Sequence, residues 1–133
     1  PTVITPHPLE AARLLKTNTA QVQNDRLQAA QNLAQQLRCT VVLKGSGTLS
    51  AQVGETTVMN PTGSARLATG GTGDVLAGVL GARMAQGLNA FEAACSAVYE
   101  HGQAADNAPL TLTLTASTLA QLIRAPQTAS SSP

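Results

Sequence analysis

A run of β-branched and apolar residues, Thr40–Leu43, constrains the fold of this chain more than any other feature. A strand with no alternating polar face is typical of a parallel sheet covered by helices on both sides. Residues 22–37, just before it, carry apolar side chains at helical spacing, and residues 2–5 form a second short strand candidate. This order of strand, helix and strand favours an α/β fold with a mainly parallel sheet flanked by helices.

The rest of the chain continues this alternation. Residues 48–53 and 56–59 are predicted to pair as a hairpin around Gly54-Glu55. Further helices are predicted at residues 9–15, 73–86, from Asn89 as a cap to about residue 106, and 115–123. Residues 111–114 alternate like a strand, so the boundary before the last helix stays open. Residues 125–133, rich in Ser, Thr, Ala and Pro, are predicted to be a flexible tail.

Composition excludes several classes of function. Charged residues make up 11% of the chain, the net charge is +1, and the only aromatic residues are one Tyr and one Phe. A nucleic-acid surface needs a basic patch or exposed aromatic rings, so neither nucleic acid nor a membrane surface is expected as a partner. Cys39 and Cys95 lack metal-ligand spacing and are interpreted as reduced cysteines of a cytoplasmic protein.

The strongest chemical signal is Gly70-Gly71-Thr72-Gly73-Asp74, at the start of a predicted helix. Free N–H groups at a helix N-terminus bind anions, and glycines allow a phosphate to approach closely. Asp74 is the only acidic residue between positions 56 and 91, and such a carboxylate can deprotonate a hydroxyl that attacks a phosphoryl group. The alternative is that Asp74 only complements the helix dipole. The segment matches neither a Walker A loop nor a Rossmann fingerprint.

A second segment, Lys44-Gly45-Ser46-Gly47-Thr48, follows the buried strand directly. Ligands of α/β sheets bind beyond the carboxyl ends of the strands. A lysine, two glycines and two hydroxyls at that place could hold the phosphates or ribose of a nucleotide. The alternative is the start of a hairpin with a solvated lysine.

Two histidines occur in the chain. His7 stands between Pro6 and Pro8 in a stiff turn, where it could hydrogen-bond a polar substrate or simply be exposed. His101 lies within a predicted helix rich in small residues, and we interpret it as structural or interfacial.

Four segments in this order resemble the nucleotide-dependent NAD(P)H-hydrate dehydratases, which are carbohydrate-kinase-like domains of the ribokinase-like superfamily. The segments are Thr5-Pro6-His7-Pro8, Val42-Leu43-Lys44-Gly45-Ser46-Gly47-Thr48, Asn60-Pro61-Thr62-Gly63 and Gly70-Gly71-Thr72-Gly73-Asp74-Val75-Leu76. The resemblance implies repair of hydrated NADH or NADPH, in which ADP or ATP phosphorylates the added hydroxyl and phosphate is then lost. It also implies Mg²⁺ with the nucleotide, although the chain shows no obvious cluster of metal ligands.

The resemblance also implies a role for each matching residue. His7 would contact the hydrated cofactor, residues 44–48 and Gly73 would line the nucleotide site, and Asp74 would hold and deprotonate the substrate hydroxyl. The N–H groups of four residues would form an anion hole for the transferred phosphoryl group: Gly70, Gly71, Thr72 and Gly73. The family pattern usually has Gly where Leu9 stands, which changes the turn without removing His7.

The family domain is about twice as long as this chain, so residues 1–124 look like its C-terminal part. A half-sheet would expose an apolar edge, and we therefore expect a homo-oligomer or association with the N-terminal half. Two alternatives stay open. The first is a ribokinase-like small-molecule kinase of the hydroxyethylthiazole or sugar type, and the second is a catalytically silent half-domain.

Overall fold

The structure, a computed structural model, describes residues 2–63, 71–109 and 115–124. These ranges contain four strands and six helices in the order β1 (Val3–Ile4), α1 (Pro8–Leu14), α2 (Thr19–Asn24), α3 (Arg26–Leu37), β2 (Thr40–Leu43), β3 (Leu49–Ala51), β4 (Val58–Met59), α4 (Thr72–Ala85), α5 (Ala90–Asn107) and α6 (Ala116–Arg124). Gly70, the possible strand at 111–114 and the predicted tail at 125–133 lie outside the described residues.

The four strands form one sheet in the order β1-β2-β3-β4. β1 pairs parallel to β2, with Val3 opposite Thr40. The pairs β2–β3 and β3–β4 are antiparallel, because short connections join these strands and the chain must reverse direction between them. The predicted α/β fold and the hairpin are confirmed, while the described part of the sheet is mixed, with a single parallel pair.

Strand β2 lies at the centre of the packing, and all four of its residues are buried. Val41 and Leu43 contribute to a first core cluster with β3 and helices α1, α2 and α3. Val42 points to the opposite face, where a second core cluster is built from Leu76 and Leu80 of α4 and from α5. The interpretation of residues 40–43 as a strand covered on both faces is confirmed.

The predicted helix at residues 22–37 is two helices, and Asp25 separates them. Asp25 has φ −148°, and its Oδ1 accepts a hydrogen bond from the Gln28 N–H at 3.1 Å, which caps α3. A carboxylate that satisfies a free N–H at a helix start stabilises a new helix there. The break leaves Arg26 as the first residue of α3.

The later helices follow the predicted boundaries closely. α4 covers residues 72–85 against the predicted 73–86, and Gly87 follows it with φ +100°. Asn89 caps α5 by accepting from the Glu92 N–H at 2.9 Å, and Thr115 caps α6 by accepting from the Thr118 N–H at 3.1 Å. None of the helices in the described ranges has the length and apolar character needed to cross a bilayer.

Gly102 on α5 allows the segment after β4 to pack directly against the helix. Thr62 Oγ1 donates to the Tyr99 carbonyl at 3.1 Å, and the Gly63 N–H donates to Asp106 Oδ2 at 2.9 Å. A Cβ on Gly102 would lie 2.7 Å from the Thr62 carbonyl carbon and 2.8 Å from the Gly63 nitrogen. These are backbone atoms, so the segment would have to move to accommodate a side chain.

We expect Gly102→Ala to lower the free energy of unfolding by about 1–3 kcal/mol, the usual cost of overpacking. Gly81→Ala is the matched control within α4, because a Cβ there meets nothing within 4 Å. It should raise the free energy of unfolding by roughly 0.5–1 kcal/mol. Urea unfolding of both variants measures the difference, and equal stabilities would show that the contact at Gly102 is not tight.

Candidate active site

The end of β2 and the start of α4 meet at one place in the fold. Lys44 follows β2, and its N–H donates to the Pro6 carbonyl at 2.9 Å. Its Nζ lies 3.1 Å from the position that a Cβ would take on Gly73. The structure therefore brings together Lys44 and Gly73, which sequence analysis placed in separate candidate segments.

The first turn of α4 offers backbone donors at this point. Gly71 is the N-cap residue with φ +87°, a left-handed conformation that glycine adopts without strain, and no side chain caps the helix. The N–H groups of Asp74 and Val75 donate to the Gly71 carbonyl at 3.2 and 3.3 Å. The Gly73 N–H has no hydrogen-bond partner within the described ranges, so it is available to a ligand.

The charge of Lys44 is unusual at this position. A helix N-terminus carries a partial positive charge and favours anions, so a nearby ammonium group is unfavourable by itself. The half-buried Lys44 side chain makes neither a hydrogen bond nor an ion pair with any residue that the structure describes. An anion held between Nζ and the start of α4 would offset the repulsion between the ammonium group and the helix N-terminus. It would also give the ammonium group a partner.

Asp74 stands in the first turn of α4 and its side chain is exposed. With Gly71 it lines a cavity of about 610 Å³, whose other walls are α4 and α6. Its carboxylate accepts no hydrogen bond from the residues of the described ranges. The position fits the dipole alternative as well as the general-base hypothesis, and the opening into a cavity gives a reacting hydroxyl a way to reach it.

The loop of residues 45–48 has the left-handed geometry that its glycines permit. Gly45 has φ +150° and Gly47 has φ +68°. Thr48 Oγ1 donates to the Gly45 carbonyl at 3.1 Å and closes the turn. Ser46 is exposed, so its hydroxyl is accessible to a ligand.

Sequence analysis did not single out Arg26, although its guanidinium group contacts this loop. Nη1 donates to the Ser46 carbonyl at 2.5 Å and to the Gly47 carbonyl at 3.2 Å. The arginines are scattered along the chain, and none forms a motif. Asp25, with Gln28 three residues later, marks a helix start in the sequence, but only the structure shows that Arg26 lies beside the end of β2.

His7 caps α1 by a reciprocal pair of hydrogen bonds. Its Nδ1 accepts from the Glu10 N–H at 3.2 Å, and Glu10 Oε1 accepts from the His7 N–H at 3.0 Å. The latter bond, followed by the charges of His7 and Lys44, lowers the pKa of Glu10. The His7 side chain is 50% exposed, so it remains accessible while it caps the helix. The bond from Lys44 to Pro6 holds this turn beside the site.

His101 is buried, and it joins α5 to the first turn of α4. Its Nε2 lies 2.9 Å from the Thr72 carbonyl oxygen. Because a carbonyl can only accept, Nε2 must carry a proton. Burial lowers the pKa of His101, and the charge of Lys44 lowers it further, while the bond to Thr72 works in the opposite direction. The geometry agrees with a structural histidine, one that also supports the glycine segment.

The lowered pKa of His101 predicts a pH dependence of stability. The unfolded chain binds a proton near pH 6.5, whereas the folded chain resists it to lower pH. The contribution of neutral His101 to the free energy of unfolding is therefore fully present above about pH 6.5 and decreases as the pH falls below that value. We expect the free energy of unfolding to decrease between about pH 7 and about pH 5, and His101→Gln, which can still donate to a carbonyl, to reduce this slope. Equal slopes in urea titrations of both proteins would contradict the assignment.

The described ranges contain no group of three or more His, Cys, Asp or Glu side chains placed to hold a metal ion. Magnesium is usually held by one or two carboxylates together with the phosphates of a nucleotide. One carboxylate, that of Asp74, lies at the site, so a magnesium ion would be held mainly by the phosphates of a nucleotide.

Solved structures of similar fold place the chain in a class. Over 92% of its length it matches an ADP/ATP-dependent NAD(P)H-hydrate dehydratase of Bacillus subtilis, co-crystallised with ATP and Mg²⁺, with a TM-score of 0.83 and 33% identity. It also matches a ribokinase-like superfamily protein of Enterococcus faecalis, with a TM-score of 0.80 and 33% identity over 91% of the chain. The fold and the site thus define a ribokinase-like α/β domain.

Residues 1–127 match the family model of NAD(P)H-hydrate dehydratase, and the chain belongs to this family. A curated relative, the ADP-dependent (S)-NAD(P)H-hydrate dehydratase of Neisseria meningitidis serogroup B, is 51% identical over 104 residues. That match covers 78% of this chain and 35% of the relative. The structural matches cover 46% and 42% of the Bacillus and Enterococcus chains, so the chain spans less than half of each protein.

Proposed function

We propose that this chain carries the nucleotide site and the catalytic base of an NAD(P)H-hydrate dehydratase, which converts hydrated NADH or NADPH back to the working cofactor at the expense of ADP or ATP. The observation that carries the proposal is the position of the Lys44 ammonium group beside Gly73, with Asp74 in the same helical turn. This arrangement combines a cation, the backbone N–H of Gly73 and a carboxylate, which are groups that phosphoryl transfer to a hydroxyl uses.

The adenine nucleotide would bind along residues 44–48 and Gly73. Lys44 would supply the charge for its phosphates, the exposed Ser46 hydroxyl would donate to the nucleotide, and Thr48, whose hydroxyl donates to the Gly45 carbonyl, could only accept from it. The transferred phosphoryl group would lie against the anion hole of Gly70, Gly71, Thr72 and Gly73. The free Gly73 N–H and the missing side-chain cap of α4 support this part of the proposal.

Asp74 would act on the hydroxyl that hydration has added to the nicotinamide ring. The hydroxyl oxygen forms a bond to the terminal phosphorus of the nucleotide, the bond from that phosphorus to the bridging oxygen breaks, and Asp74 takes the hydroxyl proton. The resulting phosphate then leaves with the electrons of the carbon–oxygen bond. A ring proton is lost from the neighbouring carbon, and the double bond of NADH or NADPH is restored.

His7 would contact the hydrated cofactor from the turn that Pro6 ties to Lys44. Magnesium, when bound, would neutralise charge on the nucleotide phosphates. Because a half-sheet would expose an apolar edge, the chain would associate with an N-terminal half or with a second copy of itself. The reduced state expected of both cysteines favours the cytoplasm.

The decisive experiment supplies hydrated NADH, Mg²⁺ and either ADP or ATP to the chain, alone and fused behind the N-terminal portion of the Neisseria relative. Return of NADH absorbance with release of phosphate is the expected result, and the nucleotide that supports it is the donor. A product that keeps its phosphate would indicate a small-molecule kinase instead. Nucleotide binding without turnover by either protein would indicate a silent half-domain.

A further inference from the structure

Arg26 binds the backbone of the lysine-containing loop at four places. Nη1 donates to the carbonyls of Ser46 and Gly47, and Nη2 lies 3.3 Å from the Leu43 carbonyl and 3.4 Å from the Lys44 carbonyl. One guanidinium group therefore donates to four of the five carbonyl oxygens of residues 43–47. An ammonium group has a different geometry and could not span them.

This placement is costly for Arg26. It is the first residue of α3, where the positive end of the helix disfavours a cation. Burial lowers its pKa, and its Nε is a buried donor with no partner in the part of the chain that the structure describes. A buried donor without a partner destabilises the folded state. The bonds from the guanidinium group to the loop carbonyls must compensate for these costs.

Gly45 and Arg26 depend on each other sterically. A Cβ on Gly45 would lie 2.8 Å from Nη2, so a larger residue there would displace the guanidinium group from the loop. The positive φ of Gly45, +150°, also favours glycine at this position.

The bonds to Arg26 also orient the other side of each peptide unit. In a planar trans peptide the C=O and the following N–H point in opposite directions. When the carbonyls of Lys44 and Ser46 turn toward Arg26, the N–H groups of Gly45 and Gly47 turn away from it. Within the described ranges these two N–H groups have no hydrogen-bond partner, so they are free to bind an anion.

We propose that Arg26 is a positioning residue that holds the loop of residues 44–48 with its N–H groups directed toward the nucleotide phosphates. This inference rests on the proposed function and adds a residue that never touches the nucleotide. Arg26 acts through the peptide units of Gly45 and Gly47, and its effect is on nucleotide affinity and not on the chemical step.

The test compares Arg26→Lys with Arg38→Lys in the 133-residue chain. Arg38 is exposed, ends α3, and keeps the same charge when replaced, which makes it the matched control. Calorimetric titration with Mg·ATP is expected to give a Kd about tenfold weaker for Arg26→Lys and unchanged for Arg38→Lys. Amide hydrogen exchange without nucleotide should become faster at Gly45 and Gly47 while α5 exchanges as before. In Arg26→Ala, millimolar methylguanidinium should restore part of the affinity.

Several results would overturn the proposal. One is wild-type affinity in Arg26→Lys, and another is unchanged exchange in the loop. Faster exchange throughout the chain would mean that Arg26 only stabilises the fold. If the unsubstituted chain does not bind Mg·ATP, the proposed function fails, whereas the exchange rates at Gly45 and Gly47 still decide whether Arg26 orders the loop.

Discussion

Asp74→Asn is expected to lower kcat for the return of NADH by about 10²–10⁴-fold, the usual contribution of a general base. Asparagine has nearly the same size, so it should leave the exposed first turn of α4 in place. It cannot take a proton from the substrate hydroxyl as that oxygen attacks phosphorus. We expect the nucleotide KM to change much less than kcat, because the proposed nucleotide site is formed by Lys44 and Gly73 and not by Asp74. The measurement is steady-state turnover of hydrated NADH by the fusion with the N-terminal portion of the Neisseria relative.

The control for this change is Glu92→Gln. Glu92 occupies the same third position of α5 that Asp74 occupies in α4, and both are exposed acids near a helix N-terminus. The two substitutions remove the same dipole interaction, worth about 0.3–1 kcal/mol, but only Asp74 faces the site. If Asp74→Asn kept turnover within about threefold of the unsubstituted protein, the dipole interpretation would be correct and the general-base role wrong.

Lys44→Met is expected to weaken nucleotide binding by about 10–100-fold, because a charge-assisted contact to phosphate is lost while the length of the side chain is nearly kept. Lys16→Met is the matched control. It removes the only other lysine, lowers the net charge by the same amount, and lies at an exposed position after α1. Calorimetric titration with Mg·ATP should separate the two variants, and the difference should shrink as salt is added.

Lys44→Met should increase the stability of the fold although it weakens nucleotide binding. Lys44 presents a cation to the positive end of α4, so its removal is expected to raise the free energy of unfolding by a few tenths of a kcal/mol. A variant that is more stable and binds nucleotide less well would identify Lys44 as a binding residue. A variant that loses both would show that the ammonium group serves the fold.

Much of the fold could be predicted because the relevant signals are local. Thr40–Leu43 consists of β-branched and apolar residues and proved to be buried on both faces, and Gly87 and Thr115 mark helix ends that the structure confirms. The break at Asp25 was missed because helical spacing continues across it, and a single side chain decides the matter by bonding to the Gln28 N–H. The mixed sheet follows from the hairpin, whose pairing with β2 was not apparent from periodicity.

Some features of the candidate site could likewise be predicted from the sequence, and others could not. Lys44 and Gly73 could be named from their residue types, but their mutual approach depends on how α4 packs on α5 and shares the second core cluster with Val42, which no local pattern shows. His7 was expected in a rigid turn, yet its bond to the Glu10 N–H appeared only in the structure. Arg26 was overlooked because it acts on carbonyl oxygens, and these leave no signature in a sequence.

The division of the core into separate clusters also bears on the order in which the molecule forms during synthesis. Every member of the first core cluster comes from residues 4–51, so its contacts are close in sequence and can form quickly. The second core cluster needs α4 and α5, which leave the ribosome later. Arg26 and the loop that it binds both belong to the early part. The loop of residues 44–48 would therefore form first in the nascent chain. The phosphate site would be completed only when α4 joins the core cluster on the face of the sheet that carries Val42.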